Sequence, residues 1–257
     1  MITMGTWNVR FAPEAFETED TEFEWEARRW EISRMISLNK LDILAVQECN
    51  QWQLDQINEV TQLEMKPRVA WADCFYPTFF VNPNRVKIER SGDLWLSDSP
   101  ETPNSKLHDS RWPRMLTWIK AKIEQIDGIS LLVNVHMDGE HKQQMKIFNE
   151  LVSQLITENN PDYIFISGDF NLSLRRFFSD AKGFYKEFMY HSIANTWNAH
   201  GRNAEPWDID WILINKDIKN KYSVEFYKKE ARLSINQSDF YISEHDLVLA
   251  RIKPKSL

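Results

Sequence analysis

Short apolar runs recur along the chain, and most of them stop at a polar side chain. Strand-like segments fall near residues 2–8, 42–47, 76–82, 93–97, 114–124, 129–135, 162–167, 209–215, 222–227 and 247–252. Three stretches, 25–39, 51–60 and 140–158, are read as helices. In the last of these Met145, Phe148, Leu151, Val152, Leu155 and Ile156 recur at three- and four-residue steps and form one apolar stripe, which reads as core. Repeated strands with helices between them predict an α/β fold, two packed sheets flanked by helices.

The polar ends of the runs carry the chemistry. Ile164-Phe165-Ile166-Ser167 ends in Gly168-Asp169-Phe170-Asn171. If extended geometry persists there, Asp169 and Asn171 point to one side and put an acceptor and an amide donor in one pocket. A Gly-Asp-x-Asn turn closed by side-chain hydrogen bonds is the alternative. The other ends are Trp7-Asn8, Gln47-Glu48 and His136-Met137-Asp138, and Ser243-Glu244-His245-Asp246 directly precedes Leu247-Val248-Leu249-Ala250. Asp210 sits inside the apolar run Trp207 to Ile214, where a buried carboxylate needs a hydrogen-bonding or charged partner, and a histidine is the natural one.

The order and content of these ends resemble the endonuclease/exonuclease/phosphatase superfamily, the deoxyribonuclease-I-like metal-dependent phosphoesterases. That family's succession of motifs is met by Thr6-Trp7-Asn8, Gln47-Glu48, His136-Met137-Asp138, Gly168-Asp169-Phe170-Asn171, Ile209-Asp210-Trp211-Ile212 and Ser243-Glu244-His245. Trp25-Glu26-Ala27-Arg28-Arg29 and the stretch from Ser91 through Trp118 resemble a bacterial branch of it. The resemblance implies a four-layered α/β sandwich, two packed mixed β-sheets flanked by helices, as a single domain over residues 1–257. It also implies a Mg²⁺ cofactor, with Mn²⁺ as the other candidate, held by Glu48 with Asn8 beside it through oxygen or water. For Glu48 the competing reading is a charge at the N-terminus of the helix that follows.

By the same resemblance Asp169 orients or deprotonates the attacking water and Asn171 donates its amide to the phosphate. Asp210 orients His245 and favours its protonated form, and His245 contacts the phosphate or moves a proton. His136 contacts the phosphate and protonates the leaving group. Arg111 and Arg114 lie in the stretch that borders the cleft in relatives, and guanidinium forks suit phosphate. Two positions depart from the family pattern. Glu244 stands where relatives have aspartate, so an acid touching the metal reaches one methylene further. Cys74 stands where relatives have a glutamate that supports the first histidine.

Composition narrows the partners. A formal charge of −7 argues against binding nucleic acid chiefly through a basic surface, although a local cleft with a bound cation still accepts a phosphate. No linker, repeat, signal-like segment or membrane-length apolar run is visible, so a cytoplasmic protein is expected. Cys49 and Cys74 read as buried reduced thiols. Most of the eleven tryptophans read as packing, with a few free to stack on a base or sugar. The expected function is metal-dependent hydrolysis of phosphodiesters in nucleic acid or a nucleotide-like ester. The alternatives are a phosphatase for a sugar, inositol or lipid headgroup phosphate, and a noncatalytic binding module; no protein partner is indicated.

Overall fold

The computed structural model describes residues 1–12, 25–66, 76–139, 141–173, 184–190, 193–199, 207–235 and 238–255. The strands are β1 (Ile2–Asn8), β2 (Ile43–Cys49), β3 (Glu64–Met65), β4 (Tyr76–Val81), β5 (Val86–Trp95), β6 (Met115–Ile123), β7 (Ile126–His136), β8 (Tyr163–Asp169), β9 (Phe188–Tyr190), β10 (Asp210–Asn215), β11 (Tyr222–Lys229), β12 (Arg232–Ile235), β13 (Ser238–Tyr241) and β14 (Leu247–Pro254). The helices are α1 (Trp25–Leu38), α2 (Gln51–Val60) and α3 (Lys142–Asn159).

Two six-stranded sheets result, ordered β11-β14-β1-β2-β4-β3 and β5-β6-β7-β8-β10-β9, with β12 and β13 forming a separate hairpin. At the centre of each sheet is one parallel pair, β1 with β2 and β7 with β8, and every other pairing is antiparallel. A parallel pair requires a crossover. The segments that cross over contain α1 in the first sheet and α3 in the second, and both helices lie on outer faces. One apolar cluster between the sheets contains Met4, Ile43, Phe79, Ile119, Leu132, Phe165, Ile212 and Val248. A second joins α3 to the outer face of β7 and β8, and a third joins α1 and α2 to the outer face of β1, β2 and β14. The layers are therefore helix, sheet, sheet, helix, the sandwich expected from the sequence.

Most predicted elements recur with ends moved by a residue or two. The chief correction concerns 93–97: the strand is Val86–Trp95, and its charged first half was passed over because an edge strand needs no apolar alternation. Too short or too polar to carry a pattern, β3, β9 and the β12–β13 hairpin were also missed. Residue 140, where the third helix was expected to begin, and Cys74 lie outside the described residues. Cys49 is buried, as expected. No described helix is long and apolar enough to cross a membrane.

Toward the site the space between the sheets turns polar. Gln47 donates to Asn134 Oδ1 at 2.7 Å and to Thr6 Oγ1 at 3.0 Å, while Asn134 donates to the carbonyls of Val46 and Thr78 at 3.0 and 2.8 Å. The three bonds of Asn134 cross from one sheet to the other and are directional, so they hold a relative placement that apolar packing alone leaves looser. Gly168 makes the tightest approach in β8. Its φ is +142°, and an added Cβ would lie 2.0 Å from the carbonyl oxygen of Val135. Gly168→Ala is expected to cost more than about 3 kcal/mol of stability, combining backbone strain with overpacking, as measured by denaturant unfolding.

Candidate active site

The carboxyl ends of both parallel pairs open on the same edge of the sandwich, which brings their terminal polar residues together. In the second sheet His136, Asp169 and Asp210 are cross-strand neighbours in one row. From the first sheet come Asn8 at the end of β1, Glu48 near the end of β2 and His245 just before β14. Glu48 would ordinarily face away, since Gln47 points between the sheets and strand side chains alternate. A register shift between Val46 and Cys49, with Glu48 at φ +56°, turns its carboxylate into the site.

The resulting contacts are close. One oxygen, nitrogen or carboxylate atom each from Glu48, His136 and Asp169 lies within 4.8 Å of the others, and the same holds for Asp169, Asp210 and His245. Asn8 Nδ2 donates to Glu48 Oε1 and Asp169 Oδ2, both at 2.9 Å. Its carbonyl oxygen accepts the Arg10 N–H, so Asn8 presents its amide nitrogen to the carboxylates. His136 Nε2 stands 3.7 Å from Glu48 and 3.6 Å from Asp169. Arg114 Nη1 lies 2.8 Å from the same nitrogen; as guanidinium has only donors, Nε2 accepts. The Arg114 Nε is buried without a partner among the described residues.

On the other side, His245 Nδ1 meets both oxygens of the fully buried Asp210 at 3.0 and 2.9 Å, and its Nε2 is 3.8 Å from Asp169 Oδ2. Burial opposes a charge on His245, but Asp210, Asp169 and the Asp210 hydrogen bond outweigh it and raise its pKa to about 10. Burial is also the main influence on Asp169; with Asp210 and Glu48 nearby it pushes that carboxyl up to about 7, against the pull of His245 and the Asn8 amide. Thr196 Oγ1 receives the N–H groups of Ile209 and Asp210 and so fixes the entry to β10.

Asn171 does not continue the strand. Its φ is +51°, its N–H donates to Asp169 Oδ1 at 2.8 Å and its carboxamide donates to the Met137 carbonyl at 2.9 Å. The turn was one of the two readings of Gly-Asp-x-Asn, and it wins because it satisfies backbone groups at the strand exit. It also needs Gly139, where a Cβ would fall 1.8 Å from the Asn171 carbonyl oxygen. Glu244 lies outside both trios: buried Ser243 and His245 flank it, and its partly exposed carboxylate lies 3.3 Å from Arg10. Exposed Arg111 rests against the Trp112 ring at 5.4 Å and likewise lies outside them.

Several residues around the site were not singled out for it. Arg10 pairs with Glu244. Ser243 Oγ donates to the Asn8 carbonyl at 2.6 Å, and Trp7 Nε1 to the His245 carbonyl at 2.8 Å. Arg28, in a motif noted only for its resemblance, is fully buried beneath these loops.

The model of the endonuclease/exonuclease/phosphatase family matches residues 5–245, and the chain belongs to that family of phosphate-ester hydrolases. Among solved structures, the mannosyl-6-phosphatase of Bacteroides thetaiotaomicron VPI-5482 superposes with a TM-score of 0.83 at 20% identity, over 98% of this chain and 100% of that one. A functionally unknown conserved protein from Enterococcus faecalis V583 gives 0.78 at 20% identity, over 99% and 100%. TDP2 of D. rerio, complexed with single strand DNA product, gives 0.71 at 14% identity, over 98% of each chain. At these identities the likeness is one of fold. No curated protein matches the sequence.

Proposed function

We propose that this centre hydrolyses phosphodiester bonds in nucleic acid or a nucleotide-like ester with the help of a divalent cation, Mg²⁺ or Mn²⁺. The observation that carries the reading is the meeting of the two trios, Glu48-His136-Asp169 and Asp169-Asp210-His245, around one shared carboxylate. The donor set fits a hard cation: Glu48 and Asp169 offer carboxylate oxygens, and the Asn8 amide, whose nitrogen holds both of them, would reach the ion through water or by turning its oxygen over. The Glu48 side chain is 26% exposed, so an ion there can keep waters. Glu48 would hold it, with Asn8 alongside. When bound, such an ion polarises the phosphate and stabilises the charge developing on its oxygens.

The side chains divide the remaining work. Asp169 takes a proton from the water that attacks phosphorus, and positive charge beside it favours the carboxylate. Cationic His245 donates from Nε2 to a nonbridging oxygen, its ring held by Asp210. Asn171 has one amide hydrogen on Met137 and offers the other. Arg114 leaves His136 to reach the phosphate; on leaving, it frees His136 Nε2 to take a proton from solvent water and pass it to the departing oxygen. Arg111 lines the approach, and Glu244 with Arg10 forms the rim rather than the centre.

The acidic charge balance favours a second reading, a phosphatase for small phosphorylated molecules, as does the fold likeness to a sugar phosphatase. Hydrolysis with Mg²⁺ or Mn²⁺ of single- and double-stranded DNA, RNA, bis-para-nitrophenyl phosphate, para-nitrophenyl phosphate and inositol phosphates separates the two. Cleavage of polymers or diesters supports the proposal, activity confined to monoesters transfers it to the phosphatase, and silence throughout leaves a binding module. Glu48→Gln is expected to raise the Mg²⁺ concentration for half-maximal activity by about tenfold or more. An unchanged Mg²⁺ titration would remove Glu48 from the ligand set.

A further inference from the structure

Arg28 stands on the buried stripe of α1 with Trp25, Ile32, Met35 and Ile36, a face that packs apolar side chains against the outer side of the first sheet. An apolar residue would suit that packing, since burying a guanidinium is expensive unless its hydrogen bonds are well met. The bonds it makes explain its presence. Nη1 donates to the carbonyls of Val9 at 2.7 Å and Ile242 at 3.0 Å, and Nη2 to that of Arg10 at 3.3 Å. All three acceptors lie within three residues of Asn8 or His245, on the two loops that bring the cation side and the histidine side of the site together.

Other contacts share the task. Gln53, at the N-terminus of α2, donates to the Arg10 carbonyl, and Ser243 and Trp7 bridge the same two loops. Arg28 alone among them reaches both loops from a helix outside them. Burial and nearby Arg10 lower its pKa to about 10, which leaves it charged at neutral pH.

We propose that Arg28 is a positioning residue that clamps the loop after β1 to the loop before β14 and thereby sets the distance between the Glu48–Asn8 side of the site and His245. The inference rests on the hydrolytic reading above. It uses the planar fork of arginine: Nη1 bridges the Val9 and Ile242 carbonyls of the two loops while Nη2 holds the Arg10 carbonyl, a fixed set of three bonds that a lysine ammonium on a more flexible stem does not reproduce.

The test compares Arg28→Lys with Ile126→Ala, a core truncation at the far end of β7 that serves as a stability control. Thermal midpoint, kcat and KM on the best substrate of the panel, and backbone amide exchange over residues 8–12 and 242–246 are measured for each. Arg28→Lys is expected to lose roughly 10- to 100-fold in kcat with KM within about twofold of the wild type, and to exchange faster in both segments together. Ile126→Ala is expected to lose thermal midpoint and keep kcat. Arg28→Ala supplies a second arm, in which millimolar guanidinium is expected to restore part of kcat and of the exchange protection.

A lysine variant with normal kcat and unaltered exchange in the two segments overturns the proposal, as does a kcat loss that the control shows for the same fall in midpoint. Should the wild type hydrolyse nothing, the hydrolytic reading fails while amide exchange still decides whether Arg28 couples the loops.

Discussion

Asp169→Asn is expected to lower kcat by roughly 10³-fold while leaving the fold intact. Asp169 belongs to both trios, accepts from Asn8 and from the Asn171 N–H, and lies near both histidines. An asparagine keeps the shape and one acceptor oxygen but cannot take a proton from water. Circular dichroism and thermal unfolding check the fold, and kcat with saturating Mg²⁺ checks the chemistry; near-normal turnover would remove the role assigned to Asp169. A pH signature accompanies it in metal-free protein. Folding raises the carboxyl from 3.8 to about 7, so its favourable contribution is complete below the unfolded value and is lost as pH rises through about 7. With a chelator present, the wild type should lose stability between about pH 4 and 7 relative to Asp169→Asn.

Asp210→Asn is expected to cost roughly 10²- to 10³-fold in kcat, through His245. Asp210 is fully buried, holds Nδ1 with both oxygens and is the leading cause opposing the burial penalty on the imidazolium. Without its charge the histidine becomes neutral in the physiological range, and the alkaline limb of the activity profile moves down from near pH 10. The stability sign follows from the same shift. Because folding raises His245 from 6.5 to about 10, its contribution is present below about pH 6.5 and lost as pH rises through about 10; in Asp210→Asn that slope flattens. Proton NMR titration of His245 in both proteins measures the shift directly, and an unmoved His245 would dissociate the pair.

Much of this was legible because strand ends leave a mark in sequence. An apolar run stopping at Gln47-Glu48, His136 or Gly168-Asp169 states both that a strand is buried and that its exit is polar, and the order of these ends carried the family resemblance. The cross-strand row of His136, Asp169 and Asp210 could not be read, since register depends on partners far away in the chain. The same limit applied to Arg28. The sequence offered residues 25–39 as a helix and Trp25 to Arg29 as a motif, but the carbonyls that Arg28 satisfies belong to segments 19 and 214 residues distant. Glu48 shows the opposite difficulty: alternation alone would face it away from the site, and only the bulge corrects this.

By itself, then, the sequence determined the strands and helices of the core, the two-sheet α/β class and the identity of the polar residues at the strand exits, because these follow from local periodicity and residue chemistry. The tertiary structure decided which oxygens and nitrogens meet. It turned Glu48 inward and Glu244 toward Arg10, folded Asn171 back on Met137, placed Arg114 on His136, and raised Asp169 and His245 together. Each of those outcomes depends on burial and on neighbours distant in sequence, and both arise only when two sheets close on one another.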